Sequence, residues 1–284
     1  MSATTKLTLV TTAADGSITT ITMSGSDCVS QVTPAPQPTP APTPTPTPTP
    51  APTPPPTPPP TLGLVLLPAG VKPQITQLDA LTNWLGEHDG ATNGGAQGGS
   101  AYPVTIGGRQ ARSFPSDYSN HGGMRYHVHY DTDTQAKHFI YAGDLYVEDP
   151  SQIAQMELDN NQVTQDGKTY IYGCQFNAND NSFDITWQDT QCHWKPSSAK
   201  GNPKQWPAKT WLHFEILSHR DDAGNITYDA VHLDGKTQQI GTTLPSARNI
   251  GWGVGHLLVN LQIGGANASG SARVYGSNLQ VARW

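Results

Sequence analysis

The chain has 284 residues, a formal net charge of −6 at pH 7 and only 13% charged residues. Nucleic acids and anionic membranes are bound through basic surfaces, so this weakly acidic composition argues against both and suits neutral, hydroxyl-rich ligands better. The longest apolar run, 62–67, ends at Pro68 and is far shorter than the roughly 18 residues of a membrane span, so no span is expected.

Residues 1–32 are predicted to form one β-hairpin. Two alternating, β-branched runs, 6–12 and 17–23, flank Asp15-Gly16, which is a strong hairpin turn signal. Two strands alone are marginal in water, so we expect this N-terminal anchor segment to dock onto another structure or to self-associate. A disordered tail is the alternative. The segment lacks the long apolar core of a signal peptide, so none is expected.

Residues 33–61 contain 16 of the chain's 25 prolines, which alternate mainly with Thr and Ala. Proline fixes φ near about −65° and has no N–H, so polyproline II is the only regular structure open to this segment. Fully extended at about 3.1 Å per residue, it would form a stalk of roughly 90 Å. We predict that this stalk separates the N-terminal segment from a large domain, residues 62–284. An ordinary disordered linker is the alternative.

A Pro/Thr-rich stalk is typical of surface-displayed proteins, whereas the lack of a signal peptide is not. Assembly inside a cell onto a particle, as occurs for virion proteins, would account for both features. We therefore expect a virion or cell-surface location, and loss of a signal peptide from the chain is the alternative.

The three cysteines do not define a disulfide framework. Cys174 and Cys192 could form a disulfide, or they could be simple buried thiols. Cys28 is left over in either case.

From about residue 70 the chain is predicted to be all-β. Short runs of alternating apolar and polar residues recur, and turn signals such as Asp149-Pro150 and Asp234-Gly235 separate them. Many short strands of this kind indicate an antiparallel sandwich or barrel. Helical spacing occurs only in 75–85, where a strand leading into a turn is equally compatible.

Alternation assigns the residues of several of these runs to two faces. The apolar face is predicted to enter the core and comprises Met156, Leu158, Leu212, Phe214, Ile216, Val231, Leu233, Leu257, Val259, Leu261 and Ile263. The polar face comprises Glu157, Asp159, His213, Glu215, His232, Asp234, Asn260 and Gln262. If these strands lie side by side, the second set forms one polar surface suited to a sugar. A plain solvated face is the alternative.

Three segments carry a family resemblance: 211–216 (WLHFEI), 228–235 (YDAVHLDG) and 278–284 (NLQVARW). Together they resemble the second half of concanavalin A-like lectin and glucanase domains, which are laminin G-like jelly rolls. The resemblance covers roughly residues 70–284 and implies an all-β, two-sheet antiparallel jelly-roll sandwich. Lectins, hydrolases and lyases share that fold, so the resemblance alone does not define the function.

Residues 156–162 (MELDNNQ) resemble the catalytic strand of laminarinase-like β-glucanases, Glu-x-Asp-x-(x)-Glu. By that resemblance Glu157 is the nucleophile and Asp159 the carboxylate between the two catalytic acids. The acid/base position is Asn161 or Gln162, and neither amide can supply a proton. Retaining hydrolysis requires two carboxyl groups about 5–5.5 Å apart, so we expect no glycosidase activity.

Three further residues are candidates for the same site. Glu215 could replace the missing acid from a neighbouring strand, which leaves catalysis open. Trp194 and Trp206 flank the loop 195–204 and are predicted to stack on sugar rings, although some tryptophans must belong to the core.

Metal ligation is only weakly indicated. Arg125, His127 and His129 share one strand face at i, i+2 spacing, but no third ligand is identifiable and a polar face is favoured. Asp131-Thr-Asp133 resembles part of a calcium loop and lacks the rest of the pattern. We therefore expect no cofactor and no metal, with calcium as the one open possibility.

These patterns predict a non-catalytic, lectin-like carbohydrate-binding protein that is displayed on a stalk as a decoration, fibre or receptor-binding component of a phage virion. We expect it to be a homo-oligomer that binds a cell-surface or environmental polysaccharide. A glycoside hydrolase or lyase of the β-glucanase fold is one alternative, and a purely structural decoration protein is the other. The expected ligand-binding residues are Glu157, Asp159, His213, Glu215, His232, Asn260, Trp194 and Trp206.

Overall fold

The computed structural model of the protein describes residues 6–12, 18–24, 63–71, 74–90, 92, 94–189 and 191–284. The chain divides into two compact units, one with the N-terminal hairpin and one with Leu64–Trp284. The predicted stalk and Cys28 lie outside the described residues. Within the described part of the chain, no helix is long and apolar enough to cross a membrane.

The N-terminal hairpin consists of β1 (Lys6–Thr12) and β2 (Ile18–Ser24). The two strands pair antiparallel in a continuous register from Lys6 opposite Ser24 to Thr12 opposite Ile18. This matches the hairpin predicted from the two β-branched runs. Its role as an anchor stays a prediction.

The second unit contains seventeen described strands and two short 3₁₀ helices, Pro150–Gln152 and Pro203–Gln205. The strands are β3 (Gln74–Gln77), β4 (Leu85–His88), β5 (Gly95–Gln97), β6 (Tyr102–Ile106), β7 (Arg109–Ser119), β8 (Gly123–Thr132), β9 (His138–Val147), β10 (Ile153–Val163), β11 (Thr169–Tyr172), β12 (Cys174–Asn177), β13 (Ser182–Gln188), β14 (Cys192–Pro196), β15 (Trp211–Arg220), β16 (Asn225–Leu233), β17 (Lys236–Pro245), β18 (His256–Gly265) and β19 (Ser269–Arg283).

These strands form two antiparallel sheets. The eight-stranded sheet has the order β14-β13-β12-β10-β18-β8-β4, and β11 also pairs with β10. The nine-stranded sheet has the order β17-β16-β15-β9-β19-β7-β5, with β3 paired to β19 and β6 paired to β7. The predicted all-β, two-sheet antiparallel jelly-roll sandwich is confirmed.

The core lies between the two sheets and is built from the predicted apolar face. Every residue predicted to enter the core is buried except Leu233, which packs partly buried against the core edge. Aromatic pairs fill the remaining space, for example Tyr141 edge-on to Phe214 with ring centroids 5.3 Å apart. Such edge-to-face pairs stabilise a core by about 0.5–1.5 kcal/mol beyond their area burial. Cys174 is a buried free thiol, so it forms no disulfide with Cys192.

Segment 75–85 contains no helix, in agreement with the strand-and-turn alternative. β3 ends at Gln77, and the chain turns at Leu78, whose N–H donates to the carbonyl of Leu279 at 2.6 Å. The indole of Trp84 then donates to the Leu78 carbonyl at 2.9 Å. The leucine spacing therefore reflects a core-packed turn, with Leu78 fully buried.

The predicted polar face does not form one surface. β10 and β18, with Glu157, Asp159 and Asn260, are neighbours in the eight-stranded sheet, whereas β15 and β16, with His213, Glu215 and His232, are neighbours in the nine-stranded sheet. The single-surface hypothesis was therefore wrong, because pairing between distant strands decides which sheet each strand joins. We call the outer face of the eight-stranded sheet the acid face. Residues 64–67, the strap, pack on the outer face of the nine-stranded sheet, which we call the strap face.

Candidate functional site

A row of polar side chains crosses six strands of the acid face. Cross-strand register aligns one residue from each of β4, β8, β18, β10, β12 and β13. Side chains at directly opposed positions of antiparallel strands are close enough to interact. This polar row is Glu87, Arg125, Gln262, Glu157, Gln175 and Asp184.

Hydrogen bonds hold the row near one end. The guanidinium of Arg125 donates to Glu87 Oε1 from Nε at 3.0 Å and from a terminal nitrogen at 2.5 Å. The Gln262 amide donates to Asp89 Oδ2 at 2.9 Å. Side chains that are fixed before a ligand arrives lose little conformational entropy on binding.

The other end of the row is held in the same way. The amides of Gln175 and Asn177 donate to Asp184 Oδ2 at 2.9 and 2.8 Å. The hydroxyl of Ser182 donates to the second oxygen of the same carboxylate. Asp184 thus has three donors, and the middle of the row lies between two ordered ends.

Glu157 and Asp159 form an acid pair at the centre of the acid face. Both side chains point to the same side of β10, and Asn260 Nδ2 lies 3.3 Å from Glu157 Oε1 and 3.4 Å from Asp159 Oδ2. The backbone N–H of Cys174 donates to Asp159 Oδ1 at 3.1 Å. Asp159 is buried and Glu157 is half-buried.

Burial and mutual repulsion make the acid pair hold a proton. Burial is the largest cause that raises the pKa of Glu157 well above its ordinary value. The charge of Asp159 and a hydrogen bond between the two groups raise it further. Burial also raises the pKa of Asp159 to about 6, against the hydrogen bonds that it accepts. Two carboxyl groups this close do not both ionise readily. The protonated form of the pair is therefore favoured at Glu157.

The position of the missing third acid is Asn161. Asn161 follows Asp159 on the same face of β10 and is 4% exposed. Gln162 lies on the opposite side, where it accepts from Arg220 Nε at 2.8 Å and donates to the Ala136 carbonyl at 3.0 Å. Of the two positions left open by the sequence, only Asn161 therefore shares the face of the acid pair.

Glu215 is on the strap face and cannot supply the missing acid. It is fully buried, and its two oxygens accept the N–H groups of Val65 at 2.6 Å and Leu66 at 2.8 Å. These residues belong to the strap, residues 64–67, which packs on the strap face. The hypothesis that Glu215 replaces the acid was wrong, because the sandwich core separates it from Glu157. The apolar contacts of the strap are with Ile140, Ala142, Leu217, Ala282 and Trp284.

His213 joins Glu215 to a second carboxylate. Its Nε2 lies 3.0 Å from Glu215 Oε1 and its Nδ1 lies 2.9 Å from Asp144 Oδ1. These two hydrogen bonds raise the pKa of His213 to about 9, and the bond with Asp144 has the larger effect. Despite burial, the hydrogen bonds from His213 and the strap lower the pKa of Glu215. The network is a structural fastening for the strap, not part of the acid face.

His232, the third predicted polar residue on this sheet, serves the β16–β17 hairpin. It is buried, its Nδ1 lies 2.8 Å from the hydroxyl of Thr237, and its Nε2 accepts the N–H of Gly235 at 3.2 Å. The prediction that it shares a ligand site with Asn260 was wrong.

The two predicted tryptophan platforms differ in exposure. Trp206 is 7% exposed and packs edge-on against Phe176 at 5.3 Å, so it is a core residue and the prediction of a stacking role was wrong. Trp194 is 39% exposed on the edge strand β14 of the eight-stranded sheet. Its indole remains accessible to a ligand at that edge.

The weak metal patterns are occupied by protein contacts. Arg125 pairs with Glu87, and His127 Nδ1 lies 3.6 Å from the same carboxylate. Arg283 pairs with Asp131 at 2.5 Å and with Asp133 at 3.0 Å. Among the described residues, no group of three or more His, Cys, Asp or Glu side chains is placed to hold a metal ion.

Sequence reasoning missed much of the polar row. Gln175 and Asn177 alternate with the core residues of β12, and Ser182 and Asp184 do the same in β13. That alternation was visible, but the short run 174–177 gave no indication that its strand would lie beside Glu157. Glu87 was missed because its strand has only four residues.

No protein-family model matches the chain, and no curated protein matches it. The β-glucanase of Bacillus licheniformis has a TM-score of 0.40 and 10% identity, covering 75% of this chain and 98% of that chain. A family 11 carbohydrate-binding module from Clostridium thermocellum, in complex with a β-1,3-1,4-mixed-linked tetrasaccharide, has a TM-score of 0.35 and 11% identity, covering 72% and 92%. Lectin UEA-II complexed with galactose has a TM-score of 0.33 and 10% identity, covering 75% and 97%. These are classes of protein that the sequence resembles.

The acid pair makes stability depend on pH in a predictable direction. Both folded-state pKa values lie above the unfolded values, so the folded protein holds the proton more tightly. The stability from the pair is complete below about pH 4 and is lost as the pH rises through the two folded pKa values, about 6 for Asp159 and well above its ordinary value for Glu157. In Glu157→Gln a permanent amide donor replaces the proton. We expect this variant to match the wild type near about pH 4 and to exceed its free energy of unfolding near about pH 8, with a difference that grows as the pH rises.

Urea unfolding of both proteins at the two pH values measures this difference. Asp229→Asn, the same carboxyl-to-amide change on the other sheet beside His219, is the matched control. If the difference in free energy of unfolding between Glu157→Gln and the wild type were the same at both pH values, the pair would not hold a proton.

Proposed function

We propose that the Leu64–Trp284 unit is a non-catalytic carbohydrate-binding domain that binds a polysaccharide across its acid face. The observation that carries this proposal is the polar row, an ordered line of carboxyl and amide groups crossing six strands. Sugar hydroxyls are bound by planar carboxylate and amide groups, and their ring faces stack on aromatic side chains. Trp194 at the edge of the same sheet provides one accessible aromatic surface.

The absence of a third acid favours binding over hydrolysis. Residue 161 is an amide and cannot protonate a leaving group. Loss of a general acid typically removes about 10²–10⁴-fold of the rate. A domain with this substitution keeps the groups that orient a sugar and lacks the group that cleaves it.

The proposed setting is a surface. The Pro/Thr-rich segment would act as the stalk, the N-terminal hairpin would anchor the chain to a virion or a cell surface or self-associate, and several copies would form a homo-oligomer. The stalk composition, 16 prolines in residues 33–61, supports this setting.

Side-chain substitutions should separate the acid face from the strap face. We expect Gln262→Ala and Asp184→Ala each to weaken binding of a responsive polysaccharide about 5–30-fold, because each loses one or two hydrogen bonds to charged or polar groups. Asp229→Asn on the other sheet should leave the affinity unchanged. A glycan array identifies the ligand, and titration calorimetry of the full chain gives the affinities. Equal losses for variants of both sheets would contradict a site on the acid face.

A glycoside hydrolase is the second candidate, because burial and the charge of Asp159 favour the protonated form of Glu157, which could then donate that proton. We expect no release of reducing ends from β-glucans by the full chain. Turnover that disappears in Glu157→Gln would contradict the proposal of a pure binder and support the hydrolase.

A further inference from the structure

The acid face has an excess of negative charge. The polar row and its neighbours contain five carboxyl groups, whereas Arg125 is the only Lys or Arg in the six described strands that carry the row. Burial lowers the pKa of His127 on the same face, which disfavours a positive charge on that imidazole. The carboxyl groups are Glu87, Asp89, Glu157, Asp159 and Asp184.

Arg125 forms its ion pair with Glu87, at one end of the row. It donates two hydrogen bonds to Glu87, and the other flanking carboxylates receive amide or hydroxyl donors. Among the described residues, the acid pair at the centre receives the long contacts from Asn260 and one backbone N–H, besides the hydrogen bond between Glu157 and Asp159 themselves. The centre therefore has few donors for its two carboxyl groups.

Two buried amide oxygens beside the acid pair also lack hydrogen-bond donors within the described part of the chain. Asn161 Oδ1 and Asn260 Oδ1 have no hydrogen-bond partner among the described residues, and the two side chains are 4% and 5% exposed. Asn260 lies directly opposite Asp159, and Asn161 follows Asp159 on the same side of β10. A buried acceptor without a donor costs about 1–3 kcal/mol, so a ligand that supplies donors is favoured here.

We propose that the acid face prefers a polysaccharide with free amino groups, such as a β-1,4-linked glucosamine polymer, and that one ammonium group binds between the acid pair and the amide oxygens of Asn161 and Asn260. This inference rests on the proposed carbohydrate-binding function. An ammonium group has three donors and no acceptor, which complements a site composed of acceptors. Its positive charge also lowers the cost of ionising Glu157 beside Asp159, so that both carboxyl groups can accept hydrogen bonds from it, which a neutral hydroxyl group does not do.

Three β-1,4-linked hexamers test this preference because they differ only at C2 of each sugar. The amine form is the glucosamine hexamer, the amide form is its N-acetylated counterpart, and the hydroxyl form is the glucose hexamer. Titration calorimetry of the full chain at about pH 6 and about 0.15 M salt should give at least about tenfold tighter binding of the amine form than of the other two. Equal affinity for the three hexamers would overturn the amino preference while leaving carbohydrate binding intact. Binding of no glycan on a broad array would overturn the proposed function itself.

Controls separate a specific site from general attraction between a polycation and an acidic protein. Glu157→Gln, which is isosteric, and the double variant Glu157→Gln with Asp159→Asn should reduce the preference for the amine hexamer at least about fivefold. Asp229→Asn removes one carboxylate from the other sheet and should retain the full preference. A lysine hexapeptide should bind at least about tenfold more weakly than the amine hexamer. Equal binding of the peptide, or equal effects of Asp229→Asn and Glu157→Gln, would overturn the inference.

Discussion

Replacing Glu215 with alanine should lower the free energy of unfolding of the sandwich by about 2–4 kcal/mol. The substitution leaves the N–H groups of Val65 and Leu66 without acceptors, and His213 keeps only one of its two carboxylate partners. His213 is partly exposed, so solvent reduces the loss to less than that of a fully buried ion pair. Urea unfolding of the full chain, followed by tryptophan fluorescence, measures the change.

Two variants define the cause of that loss. Glu215→Gln keeps one acceptor oxygen for the strap and should cost about half as much as the alanine change. Asp229→Asn changes a half-buried pair near the surface of the same sheet and should cost under about 1 kcal/mol. If the alanine variant unfolded at the wild-type urea concentration, Glu215 would not be the fastening of the strap.

The same network sets a pH window for the strap. The folded pKa of His213, about 9, is raised, so its contribution is complete below about pH 6.5 and is lost as the pH rises through about 9. The folded pKa of Glu215 is lowered, so its contribution is present above its unfolded value and is lost as the pH falls through the folded value. The strap is therefore held most firmly between these limits.

The sequence was sufficient for the sandwich because strand alternation is a local property. Met156, Leu158, Leu257 and Val259 alternate with polar residues, and all four are buried between the sheets. The side of β10 that carries Glu157 follows from the same alternation, since successive side chains point to opposite faces.

Sheet membership could not be read in the same way. Glu157 and Glu215 have similar local patterns, yet their strands join different sheets because β10 pairs with β18 and β15 pairs with β9. Such pairings join residues far apart in sequence, and alternation within a strand carries no information about them. Trp206 shows the same limit, since only the packed structure places Phe176 against it.

A single copy of the domain should bind its glycan weakly, and an assembled array should bind about 10²–10⁴-fold more tightly. The acid face is polar and displaces water without a large apolar gain, so one site has a low affinity. When several copies share an anchor, each further contact becomes intramolecular at an effective concentration that the stalk sets. Surface plasmon resonance on immobilised polysaccharide can compare the free full chain with full chains coupled through their N-terminal segments to a bead.

The proposed stalk can be tested by deleting residues Thr39 to Pro58, which would shorten an extended polyproline II stalk by about 60 Å. The deletion should leave binding by the free chain unchanged, because residues 62–284 carry the proposed site. It should weaken binding by the array at least about tenfold, because shorter stalks reach fewer sites on the polymer. Equal affinity of free and arrayed chains would remove the physical reason for the stalk, and so would array binding that the deletion does not change. Under this proposal the length of residues 33–61 and the low affinity expected of a polar site belong to one mechanism, in which reach compensates for weak binding at each site.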